Sequence, residues 1–410
     1  MLKYLLKQLS IMSKFYCLPM TAATKNLHIG NLYSWLLADT YRRALNITGV
    51  DVKIMESWNC FSEKLEKEVS SKFPHLDKDG INKKCRESID QNILNAREIL
   101  SNYDIKFSLP AIRDDSQEYK EIVIAHYENG KYTGSINNFS LSLPVFRDVL
   151  NKAKNINFYP STSINLLNGM STLMETKSIY LLRNGSYGIT IKGVEGLVLG
   201  QRYVQSLLPN FYKYYLDIPE TSICGKDVLA KSIYFMVANS SHKPFNNLGV
   251  HGLISQENKG KISKYKENIS LLSDIHSHPD NVRLSLLRQS FGMDFNLPDF
   301  ESEEKFRRKV ENCLIFLLRK SEPVKGKKDE INLPETTSLE KKIIGKIINF
   351  NFSGSYQDFK TLVYNDVSTI IIPLIRNNII SENMLSGFIS KFMNISKVFV
   401  PITIKNIHKK

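Results

Sequence analysis

The segment that most restricts how this chain can fold runs from Phe15 to Leu45. Phe15-Tyr16-Cys17-Leu18 reads as a buried strand, and Pro19 to Leu27 as a loop of small and polar residues. From Ile29 onward Leu32, Tyr33, Leu36, Leu37, Tyr41, Ala44 and Leu45 recur at the three-and-four spacing of one helix face. A strand that passes through such a loop into a helix leaves unpaired N–H groups and a positive dipole end beside the loop, where an anion can be held. His28 and Gly30 stand at that entrance, and glycine, lacking a Cβ, lets backbone lie against a ligand. Val50 to Met55 gives a second strand, so the segment predicts a right-handed β-α-β unit of an α/β sheet. An ordinary helix start has the same local pattern, so a second element must decide.

That element lies far downstream. Gly249-Val250-His251-Gly252-Leu253-Ile254-Ser255 is strand-like, Gln256 to Gly260 is a turn, and Lys261-Ile262-Ser263-Lys264-Tyr265 follows. Together the two segments resemble the paired signatures of class I aminoacyl-tRNA synthetases. His28-Ile29-Gly30-Asn31 matches the HIGH pattern and Lys261-Ile262-Ser263-Lys264-Tyr265 the KMSKS pattern. Asp39, Arg43, Gly49 and Val52 stand where the family carries "D…R…G.DV", and Asp280-Asn281-Val282-Arg283 resembles "DALR". The resemblance spans nearly the whole chain and points to subclass Ia, the methionyl, leucyl, isoleucyl and valyl group.

The resemblance implies a Rossmann-like parallel-sheet nucleotide-binding domain with a small connective insertion, followed by an α-helical bundle. Residues 1–106 would be the first half of the catalytic domain and 107–165 the insertion. Residues 166–280 would be the second half with the KMSKS-like loop, and 281–410 a shortened bundle of the kind that reads the anticodon stem. Val194 to Gly200, Thr221 to Gly225 and Leu248 to Ile254 read as the remaining strands of the parallel sheet. The insertion has no room for an editing domain and no zinc-binding cysteines. Helices are expected at Glu303–Lys320, Leu339–Asn349, Tyr356–Ile375 and Glu382–Met393, with Ser321 to Thr337 a surface linker.

The activity implied is attack of an amino-acid carboxylate on the α-phosphate of ATP, brought with Mg2+, and transfer of the product to a tRNA ribose hydroxyl. Such chemistry is mostly positioning and charge stabilisation. By the resemblance, His28 and Asn31 would face phosphate, with asparagine a neutral donor in place of the family histidine, and Gly30 would admit the adenine ring. Lys261 and Lys264 would close over the departing pyrophosphate, although two lysines in a polar loop are also simply solvated. Gly225-Lys226-Asp227 resembles the "GKD" of methionyl enzymes. Asp227 would bind the ATP ribose, or cap the helix from Val228 to Ala238, or both. His251 and Ser263 complete the ATP side, and Pro19, Met20, Trp58, Asn59 and Tyr187 the amino-acid pocket. Two departures fall in that pocket. Ser57-Trp58-Asn59 replaces "GWD", whose aspartate binds the substrate ammonium, so Glu56 or Glu63 substitutes, or the substrate differs, or activation is impaired. Tyr187 replaces a tryptophan.

Charge enters because a polyanionic partner is implied: 55 Lys and Arg oppose 41 Asp and Glu, a formal excess of +14. Phosphate contacts would use that excess, but a lysine-rich proteome would produce it too. The cysteines Cys17, Cys60, Cys85, Cys224 and Cys313 are dispersed without a C-x-x-C pair, the usage of a reduced cytoplasmic protein. No apolar run suffices to span a membrane, and a monomer is expected. His276-Ser277-His278-Pro279 imitates a metalloprotease H-x-H-P, but Leu286 and Gln289 stand where the further ligands would be, and no protein metal ligands are expected. Two other readings stay open: a paralogue passing the activated amino acid to a non-tRNA acceptor, and a non-catalytic tRNA- or nucleotide-binding relative.

Overall fold

The computed structural model describes residues 14–17, 21–23, 27–107, 110–130, 149–174, 181–215, 218–240, 242–256, 260–261, 272–320, 336–377, 379 and 382–409. Strands β1 (Lys14–Cys17) and β2 (Thr21–Ala22) lead into helix α1 (Ile29–Ile47). Strands β3 (Val52–Met55) and β4 (Ser57–Asn59) and helices α2 (Glu63–Lys72) and α3 (Lys78–Asn102) follow. Next come β5 (Ile112–Arg113), α4 (Gln117–Asn129), α5 (Val149–Ala153), β6 (Asn157–Tyr159) and α6 (Ile164–Met174). A hairpin of β7 (Leu182–Asn184) and β8 (Leu197–Leu199) precedes α7 (Gln201–Ser206), α8 (Leu208–Tyr215) and β9 (Thr221–Gly225). Helices α9 (Lys226–Val228) and α10 (Tyr234–Asn239) flank a π-helical stretch, Leu229–Ile233, ahead of β10 (Asn247–His251), β11 (Ile254–Gln256) and β12 (Gly260–Lys261).

The remainder is helical except for β13 (Phe295–Asn296). It comprises α11 (Pro279–Leu287), α12 (Glu304–Arg319), α13 (Thr336–Ile348), α14 (Phe352–Thr361), α15 (Ile372–Arg376), α16 (Glu382–Phe399) and α17 (Pro401–Ile407). Between α14 and α15 the stretch Leu362–Ile371 is π-helical, ending just before Pro373, which has no N–H to continue a ladder.

Five strands form the central sheet in the order β3-β1-β9-β10-β6, and every pairing is parallel. Two readings of the sequence change here. Residues 194–200 do not join this sheet: β8 pairs antiparallel with β7 instead. The fifth strand is β6, read as part of the insertion, whose three residues are too few to show a period. Of the expected linker Ser321 to Thr337, the last two residues belong to α13, and residues 321–335, like 131–148, lie outside the described residues.

Helix α1 is the keel of the molecule. Its predicted face is buried apart from the partly buried Leu45, and so are Trp35, Ala38, Asp39 and Thr40, because β3 and β9 pack on it from one side and α13 and α16 from the other. Asp39 and Arg283 explain how the helical region is joined to the sheet domain. The Asp39 carboxylate, fully buried, accepts from Arg283 Nη2 at 2.7 Å, Arg43 Nε at 2.6 Å and Arg42 Nη2 at 2.7 Å. Buried Arg283 also donates to Thr40 Oγ1 and the Tyr103 carbonyl, both at 3.1 Å. Burial opposes the charge on Asp39, but the arginines more than offset it and hold its pKa well below the usual range. Asp280 opens α11 and accepts the N–H groups of Thr403 (2.7 Å) and Ile402 (3.3 Å) from α17.

A second joint is aromatic. Phe350 stacks on Tyr159 at 4.5 Å and meets Tyr41, Phe291 and Phe352. It holds the left-handed backbone (φ 59°), and its ring fills the space beside Gly249, where a Cβ would overlap it.

Candidate functional site

The order in which the chain adds strands reverses at β1. From β1 the chain passes through α1 to β3 on one side, while β9 lies on the other, and ligands of open α/β sheets bind outside the carboxyl ends of strands at such a switch. On the β1 side stands the entrance to α1. His28 is the N-cap: its Nδ1 accepts the Gly30 N–H at 3.1 Å, and Asn31 Oδ1 accepts the His28 N–H at 3.2 Å, a reciprocal capping box. An Nδ1 that accepts leaves the proton of a neutral imidazole on Nε2, so the ring is set as a donor there. Asn31 spends its oxygen on the cap, and the donors of its amide lie at the other end. A Cβ on Gly30 would come within 3.1 Å of the His28 ring, which explains a glycine at this point.

On the other side, β9 ends at Gly225. Gly225, not Asp227, is the N-cap of α9, and it makes no side-chain cap; Asp227 stands in the first turn, correcting the capping role read from sequence. Beyond it, β10 ends at His251, which is buried. His251 Nδ1 lies 2.8 Å from the Gly252 carbonyl, an obligate acceptor, so Nδ1 carries the proton and Nε2 accepts from the Ser34 hydroxyl at 2.6 Å. Burial pushes this imidazole down to about 4, which keeps it neutral. The ring that sequence assigned to ATP therefore has both nitrogens engaged by protein groups. It couples α1 to β10, and a Cβ on Gly225 would lie 3.1 Å from it. Gly252 itself packs so closely on Met293 that any side chain would overlap the Met293 carbonyl, so the strand read through to Ser255 breaks there and resumes as β11.

The lysine loop is fastened at both ends. Its start, β12, pairs antiparallel with β11, Ser255 opposite Lys261. Its far end returns at Leu272, whose N–H donates to the Leu27 carbonyl at 3.2 Å, one residue before His28. The backbone of Lys261 is thus fixed beside β11, while Ser263 and Lys264, like Pro19 and Met20, lie outside the described residues.

This architecture can be compared with solved structures. The methionyl-tRNA synthetase of Mycobacterium tuberculosis bound by methionyl-adenylate superposes with a TM-score of 0.70 at 12% identity, over 97% of this chain and 93% of that one. A second structure of that enzyme in complex with methionyl-adenylate gives 0.69 at 12% identity, with the same coverage. The fold is similar to that of methionyl-tRNA synthetases. It is mixed α/β, with parallel-strand sheets and a helical C-terminal region, as the sequence led us to expect. No protein-family description and no curated protein sequence matches the chain.

A second, smaller sheet follows the central one in this part of the chain. Strands β2, β4 and β5 form a small parallel sheet, with Ala22 beside Asn59 and Trp58 beside Arg113. Continuing the register sets Asp114 across from Asn59. With its amide turned to the orientation that suits its neighbours, Asn59 gives its nitrogen to Asp114 Oδ2 (2.9 Å) and the Phe61 carbonyl (3.2 Å), and its oxygen to the amide nitrogens of Gln201 and Gln205. Asp114 is fully buried and also accepts the Cys60 N–H at 2.7 Å. Burial pushes its carboxyl up to about 8, only partly opposed by that N–H.

Neither substitute acid named from sequence is comparable. Successive strand residues point to opposite faces, so Glu56 lies with Trp58 rather than Asn59. It accepts the Trp58 Nε1–H and a bidentate fork from Arg97 at 2.8 and 2.9 Å. Glu63 pairs with Lys67 at 2.7 Å on an exposed helix face. Trp58 is buried, and so is Tyr187, edge-on to Phe61 at 5.3 Å with a hydroxyl that lacks a hydrogen-bond partner among the described residues.

Asp114 was missed in the sequence because nothing near it signals its partner; only the β4–β5 register brings it to Asn59. Ligand atoms of Cys60, Asp114 and Asp115 lie within 4.8 Å of one another. Asp115, however, is forked by Arg113 at 2.8 Å through both oxygens, and Asp114 is nested on N–H donors, so hydrogen bonds occupy the set. In the H-x-H-P segment His278 caps α11, its Nδ1 accepting the Asp280 N–H at 3.1 Å. Among the described residues no helix is long and apolar enough to cross a membrane.

Proposed function

We propose that this chain is a class I aminoacyl-tRNA synthetase-like ligase of methionyl-like architecture, with ATP, an amino acid and tRNA as its substrates. The observation that carries this reading is the bond from the Leu272 N–H to the Leu27 carbonyl, at 3.2 Å. It ties Leu272, beyond the lysine loop, to the residue before His28, which supports the reading that the two signature segments serve one site. In the first step an oxygen of the amino-acid carboxylate bonds to the α-phosphorus, the bond to the bridging oxygen breaks, and pyrophosphate leaves with the electron pair. In the second, a tRNA ribose hydroxyl attacks the acyl carbon and AMP departs.

His28 Nε2–H and the amide of Asn31 would meet the phosphates at the α1 N-terminus, where dipole and N–H groups favour negative charge. Gly30 would pass the adenine, and Gly225 and Asp227 the ribose. Lys261 and Lys264 would follow the charge as it moves onto pyrophosphate, with Ser263 between them. Mg2+ would arrive on the triphosphate, and no protein ligand is assigned to it. Pro19, Met20, Trp58, Asn59 and Tyr187 would wall the amino-acid side, with methionine the first candidate.

ATP–pyrophosphate exchange with each of the twenty amino acids tests this reading. Exchange with one of them, followed by charging of total tRNA, is expected. Absence of exchange with all twenty, in protein that binds ATP, refutes it.

A further inference from the structure

We propose that Asp114 is a positioning residue that supplies, through Asn59, the negative charge for an amino-acid ammonium group. The inference rests on the ligase reading and adds a residue from a different segment of the chain. Three observations carry it. The parallel register of β2, β4 and β5 brings Asn59 and Asp114 side by side at the carboxyl ends of neighbouring strands. The neighbours of Asn59 select one orientation of its amide when Asp114 is ionised. Its nitrogen then donates to Asp114 Oδ2 at 2.9 Å, and its oxygen is directed away, as an acceptor, toward the N–H groups of Gln201 and Gln205. Those two carboxamides from α7 occupy the place that an ammonium donor would take, and Gln201, only half-buried, is the one able to swing out. Finally, Asp114 is fully buried with N–H donors around it and no basic side chain hydrogen-bonded to it among the described residues, while its neighbour Asp115 has the Arg113 fork. A buried carboxyl without a cation is a costly group to keep, and a cation one amide away would be stabilised by it in a medium of low polarity. The charge that the aspartate of "GWD" would hold in contact is thus set one residue back, behind a neutral acceptor.

The expected signature is a proton linkage. Burial raises Asp114 to about 8, so below that pH it is protonated in the absence of a cation, and a bound ammonium must displace the proton. The groups around it do not share this range. Burial pushes Cys60, Tyr119 and Tyr187 up, and the Arg113 fork holds Asp115 down against burial. Arg113 is raised by its Asp115 bonds, and Lys120, lowered by burial, is a base that stays cationic at lower pH. The amino-acid KM should therefore fall about tenfold per pH unit from pH 6 toward 7.5 and level off near 8.

The test uses the full chain and three variants, Asp114→Asn, Asn59→Asp, and the double exchange Asn59→Asp/Asp114→Asn. Exchange kinetics give KM for the amino acid and for ATP, and calorimetry gives direct binding of L-methionine and L-methioninol, which keeps the ammonium and lacks the carboxylate. Asp114→Asn should raise the amino-acid KM at least 30-fold at pH 7.5, leave the ATP KM within twofold and flatten the pH profile. The double exchange, with the charge moved into contact, should recover most of the affinity. An Asp114→Asn variant with parental amino-acid KM, a profile that stays steep, or a double exchange no better than the single overturns the proposal. Pyrophosphate exchange absent from the parent while pH-linked methioninol binding persists would sink the ligase reading and leave this one standing. A parent that binds neither probe nor any of the twenty amino acids overturns it.

Discussion

Removing Asp39 should damage this protein far more than removing the arginine it pairs with. Arg283 is only 1% exposed and its other partners, Thr40 Oγ1 and the Tyr103 carbonyl, are neutral. Asp39→Asn therefore strands a buried guanidinium, a change that costs about 3–5 kcal/mol when one partner of a buried pair is lost. Arg283→Met leaves Asp39 with Arg43 at 2.6 Å and Arg42 at 2.7 Å, which are 15% and 17% exposed, and fills the space with a side chain of similar length. Its cost should be about 1–2 kcal/mol, near that of an ordinary substitution.

For 410 residues unfolding together, ΔS near the midpoint is roughly 0.9 kcal/mol per kelvin, so the two variants should differ by about 1–4 °C in midpoint. The pH sign follows from the depressed carboxyl. Its contribution is complete above the unfolded value near 4 and is lost as pH falls through the lower folded value, so Asp39→Asn should narrow its deficit only in acid below pH 4. Differential scanning calorimetry from pH 3 to 8 measures this. Equal midpoints for the two variants, or an Arg283→Met deficit exceeding that of Asp39→Asn, would refute the reasoning.

Other outcomes can be checked with similar means. His28→Asn keeps an N-capping side chain and should hold the melting temperature within about 2 °C, while losing the Nε2 donor costs about 10²–10³-fold in the exchange rate; an active His28→Asn would remove His28 from the chemistry. Gly249→Ala drives a methyl into the Phe350 ring and should cost about 1–3 kcal/mol. In the background of Phe350→Ala it should cost less, only the 3.2 Å approach to Ile223 remaining, and an additive double mutant would show the two do not touch. His251, held neutral by burial with a folded value of about 4, binds fewer protons than the unfolded chain between pH 4 and 6.5, so stability should fall as pH drops through that window. His251→Gln, which can offer an acceptor to Ser34 and a donor to Gly252, should flatten that slope; an unchanged slope assigns it elsewhere.

Long periodic segments were legible because period is a local property. The face of α1 follows from spacing and the four predicted C-terminal helices from the helical character of their segments, although α11 and α17 went unread as helices and a π stretch at Leu362–Ile371 lay hidden in a run that looked uniformly helical. Strand membership was less legible. Residues 194–200 and 157–159 are both short apolar runs, and only pairing decides that the first turns back on β7 while the second closes the central sheet. The same limit governs the site. His28 and Asn31 are three residues apart, so their reciprocal capping can be imagined from sequence, whereas Asn59 and Asp114 meet through register across two strands. Asp39 and Arg283 matched known patterns as separate motifs, without any sign that they form one buried pair.

The carboxylate of Asp280 has a further meaning for how the molecule is made. It is satisfied by the N–H groups of Ile402 and Thr403, so the first turn of α11 waits for a stretch synthesised some 120 residues later, the bonds spanning 122 and 123 positions. During translation the lysine loop and the helix after it must exist for a time without this fastening. A nascent chain arrested before residue 402 should therefore show α11 more open to protease than the finished protein does, however completely the central sheet has already formed.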